Sequence, residues 1–425
     1  MSVTETQGAI DAVWRIESAK LIAGLTRIVR DVGIAEDLAQ EALVAALEQW
    51  PKNGVPDNPG AWLMATAKNR AIDHFRRLSL LDRKHEELGR DLELRQQTVP
   101  DLNSALDDPV GDDLLRLVFI ACHPVLSTEG RVALTLRLLG GLTTDEIARA
   151  FLVPEPTIAQ RIVRAKRTLA DQQIPFETPL ASELPTRLAS VLEVIYLIFN
   201  EGYSATAGDE WIRPALCEDA LRLGRILVGL MPNEPEVHGL VALMEIQASR
   251  SRARVGPNGE PVLLLEQNRA HWDQLLISRG LAALAQAERL APARRPYTVQ
   301  AAIAACHARA RTAEETDWER IVSLYEELAR LQPSPIVDLN RAVAVGMAHG
   351  PAAALGLVNA LYSEPALKDY HLLPSVRGDL LAKLGRFAEA ARDFDRAASL
   401  TRNAREQDLL RERAASCAAG REPAR

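Results

Sequence analysis

The sequence predicts an all-α protein: two small helical domains joined by a flexible linker, then a large, irregular helical-repeat domain with one small β-hairpin. Three observations predict it. Ala, Leu and Arg dominate while aromatics make up only 4%, a composition that favours helix. Apolar residues recur with the 3.6-residue helical period in segment after segment. Helix start and stop signals (capping spacings, prolines, glycines) fall between those segments. A length of 425 residues suggests two or three domains, each able to bury its own core.

Charge and cysteine usage narrow the function classes. A net charge of −7 excludes a uniformly basic nucleic-acid binder, so any contact with DNA must come from local patches. Cys122, Cys217, Cys306 and Cys417 lie far apart without a C-x-x-C, which indicates neither a metal site nor a disulfide framework. Cys122-His123 and Cys306-His307 have no companion ligands and read as buried structural positions. No metal or other cofactor is expected. The N-terminal MSVTETQGAID lacks the basic and apolar regions of a signal peptide. The most apolar run, VLEVIYLIF at 191–199, is too short to span a bilayer, so the expected location is cytoplasmic, with no membrane partner.

Along the chain, residues 9–31 form a first amphipathic helix closed by Gly33, and 35–50 a second. In the second, Leu38, Ala42, Ala45 and Ala46 point inward while Asp37, Gln40, Glu41 and Glu48 face out. A Pro/Gly/Asn-rich loop, 51–59, precedes the helix 60–77. Ala67, Ala71, Phe75 and Leu78 make the back of that helix. Asn69, Asp73 and Arg76 repeat at i, i+4, i+7 on the opposite face, with Lys68, Arg70 and Arg77 beside them. Amide and guanidinium groups so arranged can hold phosphates and read exposed bases. Residues 79–111 are polar, of mixed charge and aperiodic, and read as a linker.

A compact four-helix unit follows over 112–172. Its last two helices, TTDEIARAFLVPEPTIAQRIVRAKRTL, carry the strongest signal. Thr143 and Glu146 have capping-box spacing, and Pro156 suits the first position of the final helix. Ile158, Ile162, Ala165 and Leu169 form its apolar stripe. Thr157, Gln160, Arg161, Arg164 and Arg167 fall on the other side, and no acidic residue interrupts 157–169. A short capped helix, a turn and a basic helix with an apolar back are what a helix-turn-helix needs to enter a major groove.

In this order the parts resemble a bacterial sigma factor of the extracytoplasmic-function type, over about residues 8–172. AEDLAQEALVAAL is followed by AWLMATAKNRAIDHFRR, a linker and the helix-turn-helix. The resemblance implies two DNA-reading domains, 8–78 and 112–172, and as partners promoter DNA and the RNA polymerase core with its β and β′ subunits. It implies that Asp37, Gln40 and Glu41 dock on the polymerase. Lys68, Asn69, Arg70, Asp73, Arg76 and Arg77 would read the −10 promoter element. Thr157, Gln160, Arg161, Arg164, Lys166 and Arg167 would read the −35 element. One departure stands out, because Leu152 occupies the turn position where the family usually has Gly. Either a left-handed Leu is accepted at about 1–2 kcal/mol, or Val153-Pro154 reroute the turn.

The extension, 178–425, predicts ten further helices: 186–200, 210–230, 234–250, 267–290, 296–310, 315–331, 335–349, 351–362, 371–384 and 386–401. The GPNG turn within 253–265 predicts the hairpin. Gly378, Phe387, Ala390, Phe394 and Ala397 match the small and aromatic positions of a tetratricopeptide unit, with Arg402 where the terminal Pro would stand. FNEGYSATAGDEWIRPALCEDALRL, TVQAAIAACHARA and SPIVDLNRAVAVG resemble the extension of one group of these sigma factors. That likeness implies a fused regulatory domain. Glu201, Tyr203 and Arg213, with Asp209 and Glu210, are the candidate contact surface for the sigma core or a small ligand, within a domain expected to take a small-molecule or protein signal. His271-Trp272-Asp273 and Asp338, Asn340 and Arg341 read as structural clusters. No hydrolase, metalloprotease, P-loop or dinucleotide motif is present, so an enzyme is not expected. The rival reading is a stand-alone helix-turn-helix regulator with a sensing repeat domain, which leaves the helix 60–77 without a role.

Overall fold

The computed structural model describes residues 3–88, 110–257 and 259–422. They form helices throughout, apart from two two-residue strands. The chain divides into two compact units, Met1–Val194 and Ile195–Arg425.

The first unit opens with three helices, α1 Val3–Val29, α2 Val32–Asn53 and α3 Pro59–Leu88. Asp31 caps α2 by accepting from the Ile34 N–H, and Pro51 is tolerated in its last turn. Ile22, Leu25, Leu38, Ala42, Leu63, Ala67 and Ala71 close the core between the three. Helix α3 runs on to Leu88, so the first ten residues of the expected linker are helical; 89–109 lie outside the described residues. The helical period had already faded there, but a polar segment can prolong a helix that packing has nucleated.

Four helices follow: α4 Val110–Ala121, α5 Thr128–Leu138, α6 Thr144–Phe151 and α7 Glu155–Asp171. Ser127 caps α5, and the capping box at α6 is complete in both directions, Thr143 with Glu146. Leu152 adopts the left-handed conformation, φ 50° and ψ 43°, so the turn is not rerouted. Pro156 sits at the second position of α7, one later than its sequence suggested. Ile158, Ile162, Ala165 and Leu169 are buried along one stripe.

Helix α8, Leu184–Tyr203, begins in the first unit and ends in the second. Its first turns are bonded to the α4–α5 core. Arg131 of α5 donates to the Ser190 hydroxyl and, at 2.9 Å, to Glu193, while Ser190 donates to the Cys122 carbonyl and Arg187 to that of Phe119.

The second unit continues with α9 Pro214–Leu230, α10 Pro235–Ala248, α11 Gln274–Leu290, α12 Pro296–Arg309 and α13 Trp318–Leu331. It ends with α14 Pro335–His349, α15 Pro351–Ala360, α16 Leu372–Lys383, α17 Phe387–Leu400 and α18 Ala404–Ala418. Successive helices from α12 onward pack as neighbours, the arrangement of an irregular helical repeat. One core gathers Leu243, Ile246, Leu284, Ile303, Ile321 and Leu328, and a second Leu339, Val358, Leu380, Ala390, Phe394 and Leu410. At Gly378 a Cβ would stand 3.1 Å from the Phe394 ring, which is why the repeat needs a small residue there.

Three expectations need correction. The 253–265 hairpin reduces to a short 3-10 turn, Ser251–Arg254, and one antiparallel bridge, Val255 with Pro261. Pro261 has no N–H to extend a ladder. The helix placed at 267–290 starts only at Gln274, after Asp273 caps it by accepting from the Leu275 and Leu276 N–H groups. The last helix, α18, and the parallel pairing of β1, Ala207–Gly208, with β2, Arg402–Asn403, were not expected. Asn403, 1% exposed, secures that pairing by donating to the carbonyls of Ala205 and Glu210.

Candidate nucleic-acid interface

Two basic helix faces are exposed in the first unit. On α3, Asn69, Arg70, Asp73, Arg76 and Arg77 are all exposed, opposite the buried Ala67 and Ala71. Arg76 lies 3.8 Å from Asp73, and Arg70 lies 3.8 Å from Glu41 on α2. Pairs this long and this exposed hold their partners weakly. Lys68 stands apart from this row. It is half-buried at the edge of the apolar stripe, where burial and the neighbouring Arg27 charge lower its pKa.

On α7, Gln160, Arg164 and Arg167 are exposed and Thr157 and Arg161 half-buried, all within one side of the helix. Arg161 and Arg164 have no ion-pair partner among the described residues, and Arg167 reaches Asp171 one turn on, at 3.3 Å. Lys166 does not join them. It points off the edge of the apolar stripe into an ion pair with Glu36 of α2.

Glu36 is the residue that sequence reading missed. It is 2% exposed and accepts from Arg137 of α5 at 2.6 Å as well as from Lys166, with Gln40 donating to the same carboxylate. Burial alone would raise its pKa; the Lys166 and Arg137 charges outweigh burial and hold the carboxyl below its ordinary value of 4.5. The signal in the sequence was a carboxylate within the apolar stripe of α2, between Val32 and Ala39, both buried. Two further ion pairs join α1 to the second helical group. Arg15 reaches Glu146, the capping-box carboxylate, at 3.0 Å, and Arg27 reaches the buried Asp113 at 3.0 Å. Between them Gly141, at φ 68°, passes so close to α1 that a Cβ would stand 3.0 Å from the Ser18 hydroxyl. Helices α1–α3 and α4–α7 therefore meet through a charged seam that leaves both basic rows exposed.

Of the other acidic candidates, Asp37 and Glu41 are exposed and Gln40 is half-buried beside Glu36. In the second unit, Glu201 and Arg213 pair with each other in a largely buried bridge. Glu201 also accepts from the Thr206 hydroxyl, and Arg213 donates to the Ala207 carbonyl. These two are thereby committed to structure, whereas Tyr203 faces Arg254.

Comparison with known proteins decides the family. Residues 17–80 match the Sigma-70 region 2 family, residues 116–169 match Sigma-70 region 4, and residues 187–288 match a family of unknown function, DUF6596. The chain carries sigma-70 regions 2 and 4. Regions 2 and 4 followed by a further domain fit a sigma factor of the extracytoplasmic-function type with a C-terminal extension. A protein of Rhizobium meliloti (strain 1021), described only as uncharacterized, is 46% identical over 413 residues, 96% of each chain. The probable ECF RNA polymerase sigma factor SigI of Mycobacterium tuberculosis (strain ATCC 25618 / H37Rv) is 27% identical over 165 residues, 39% of this chain and 56% of that protein. Sigma-70 domains imply binding to RNA polymerase core and promoter DNA. No helix among the described residues is long and apolar enough to cross a membrane.

Proposed function

We propose that this sigma factor directs RNA polymerase core to promoters through two separate contacts, without catalysis of its own and in the cytoplasm. Asp37, Gln40 and Glu41 dock on the β′ subunit, the α3 row Asn69, Arg70, Asp73, Arg76 and Arg77 reads the −10 element, and the α7 row Thr157, Gln160, Arg161, Arg164 and Arg167 reads the −35 element. The functional domains are 8–78, 112–172 and 178–425, the last regulating the first two. The observation that carries the reading is the exposure of both basic rows on one compact unit, outside the seam that joins their domains.

The seam adds a conformational requirement. The two promoter elements lie about 25 base pairs apart, roughly 85 Å at 3.4 Å per base pair. Domains touching through Glu36 and Lys166 cannot read both at once, so polymerase binding must separate them. The free chain is accordingly a closed form, and the extension, fastened to the second domain by Arg131, Arg187 and Ser190, acts on the balance between closed and open.

Run-off transcription with core polymerase tests the assignment. Substituting Asn69 and Arg76 by Ala should abolish promoter opening while core binding persists. Unchanged transcription would favour the stand-alone regulator, which needs neither residue.

A further inference from the structure

The second unit holds a cluster that no role above absorbs. Three arginines gather round three aromatic rings. The Arg254 guanidinium lies 3.6 Å from the centre of the Tyr203 ring and 5.5 Å from that of Trp211. Arg250 lies 5.9 Å from Tyr203 and 5.5 Å from Trp272, and Arg269 lies 4.9 Å from Trp272. Unlike Arg213 nearby, none of the three has a carboxylate in salt-bridge range among the described residues. Arg269 donates from its terminal nitrogens to the His307 and Ala310 carbonyls and the Thr316 hydroxyl, and only its Nε is left without a partner. Arg254 is only 6% exposed; it hydrogen-bonds the Tyr203 side chain, but its Nη1 has no hydrogen-bond partner. Arg250 Nε and Trp211 Nε1 are likewise buried and unpartnered.

We propose that Arg254, Arg250 and Trp211, walled by Tyr203, form a binding site for a small molecule bearing an oxyanion, a carboxylate or a phosphate. All three open positions are donors, which only an acceptor can complete. Guanidiniums are suited to grip an oxyanion through paired, charge-assisted hydrogen bonds. Stacking on aromatic faces offsets part of the cost of burying cations but leaves their charge unneutralised. The local field agrees: burial, then the Arg250 and Arg269 charges, push His307 down to about 4. Tyr203, Trp211 and Arg250 are half-buried and Arg254 is buried. The inference rests on these residues and not on the promoter-reading role.

Calorimetric titration of the full chain, without polymerase, tests it directly. Inorganic phosphate and acetate are titrated separately at constant ionic strength, against chloride. One of the two should bind saturably at one site per chain; phosphate preference identifies the ligand group as phosphate, and acetate preference as carboxylate. Arg250→Gln should weaken that binding at least about tenfold, the worth of one charge-assisted contact, with the helical circular dichroism unchanged. Arg252→Gln, at the exposed neighbouring position, should leave it intact. In the wild type, the His307 imidazole should titrate higher when the anion is bound. Absence of saturable binding, retention of full affinity in Arg250→Gln, or equal loss in Arg252→Gln would overturn the proposal.

Discussion

Replacing Glu36 by Gln should open the first unit. The carboxylate is the one group that neutralises both Arg137 and Lys166, and it is almost wholly buried while each cation is only a fifth exposed. Gln keeps the shape and can still accept a hydrogen bond, but leaves two cations facing each other across the seam. Removing one partner of a buried pair typically costs about 3–5 kcal/mol. Partial exposure of the cations and the surviving hydrogen bond reduce that to roughly 3 kcal/mol, about a hundredfold shift from closed to open. Spin labels at the exposed Glu48 of α2 and Asp171 of α7 would report it as a distance distribution by pulsed electron resonance. The closed population should fall in Glu36→Gln, and a charge-swapped pair, Glu36→Lys with Lys166→Glu, should recover part of it. An unchanged distribution in Glu36→Gln would refute the reasoning, because the seam would then be held by something other than this charge.

Further outcomes follow from the same geometry. Because the Glu36 pKa is lowered in the closed form, its contribution is full above the ordinary value of 4.5 and is lost as pH falls through the lowered one; the labelled distance should lengthen on acidification and not between pH 6 and 8. Leu152→Gly should raise the unfolding free energy, read from denaturant melts, by about 0.5–1 kcal/mol, since the left-handed strain it relieves exceeds the entropy that Gly adds to the unfolded chain. Thr143→Ala, which removes half of the capping box, should lower stability by about 1 kcal/mol in the same assay. A chain ending at Gln173 should be about 2 kcal/mol less stable in its α4–α7 domain than one ending at Tyr203, because Arg131 and the Cys122 and Phe119 carbonyls lose their α8 partners; hydrogen exchange on α5 would measure it.

The elements whose signals were local were legible in the sequence. The stripe Ile158–Ile162–Ala165–Leu169, the capping box at Thr143 and Gly378 against Phe394 all announce themselves within a few residues, and the structure places them as expected. Helix α18 has an equally local signal, Asn403 three residues before Glu406, whose N–H it accepts. What stayed hidden was long-range. Glu36 meets Arg137 and Lys166 across 101 and 130 positions, and no periodicity joins residues so distant. Lys166 and Lys68 looked like members of basic rows by composition, yet both sit at the edge of a buried stripe, where a long side chain can reach sideways. Glu201 and Arg213 satisfy each other, and the arginines with open donors, Arg250 and Arg254, stand about forty residues further on, only Arg254 within the segment whose GPNG turn suggests a hairpin.

The central claim is that two basic helices read one promoter only when polymerase core holds them apart. Binding of the full chain to promoter DNA, measured by fluorescence anisotropy at physiological salt with and without core polymerase, tests it most directly. The account predicts negligible specific affinity for the chain alone and tight, −10- and −35-dependent binding with core, lost on substituting Arg164 and Arg76. Full promoter affinity without core, or failure of the chain to associate with core at all, would contradict it.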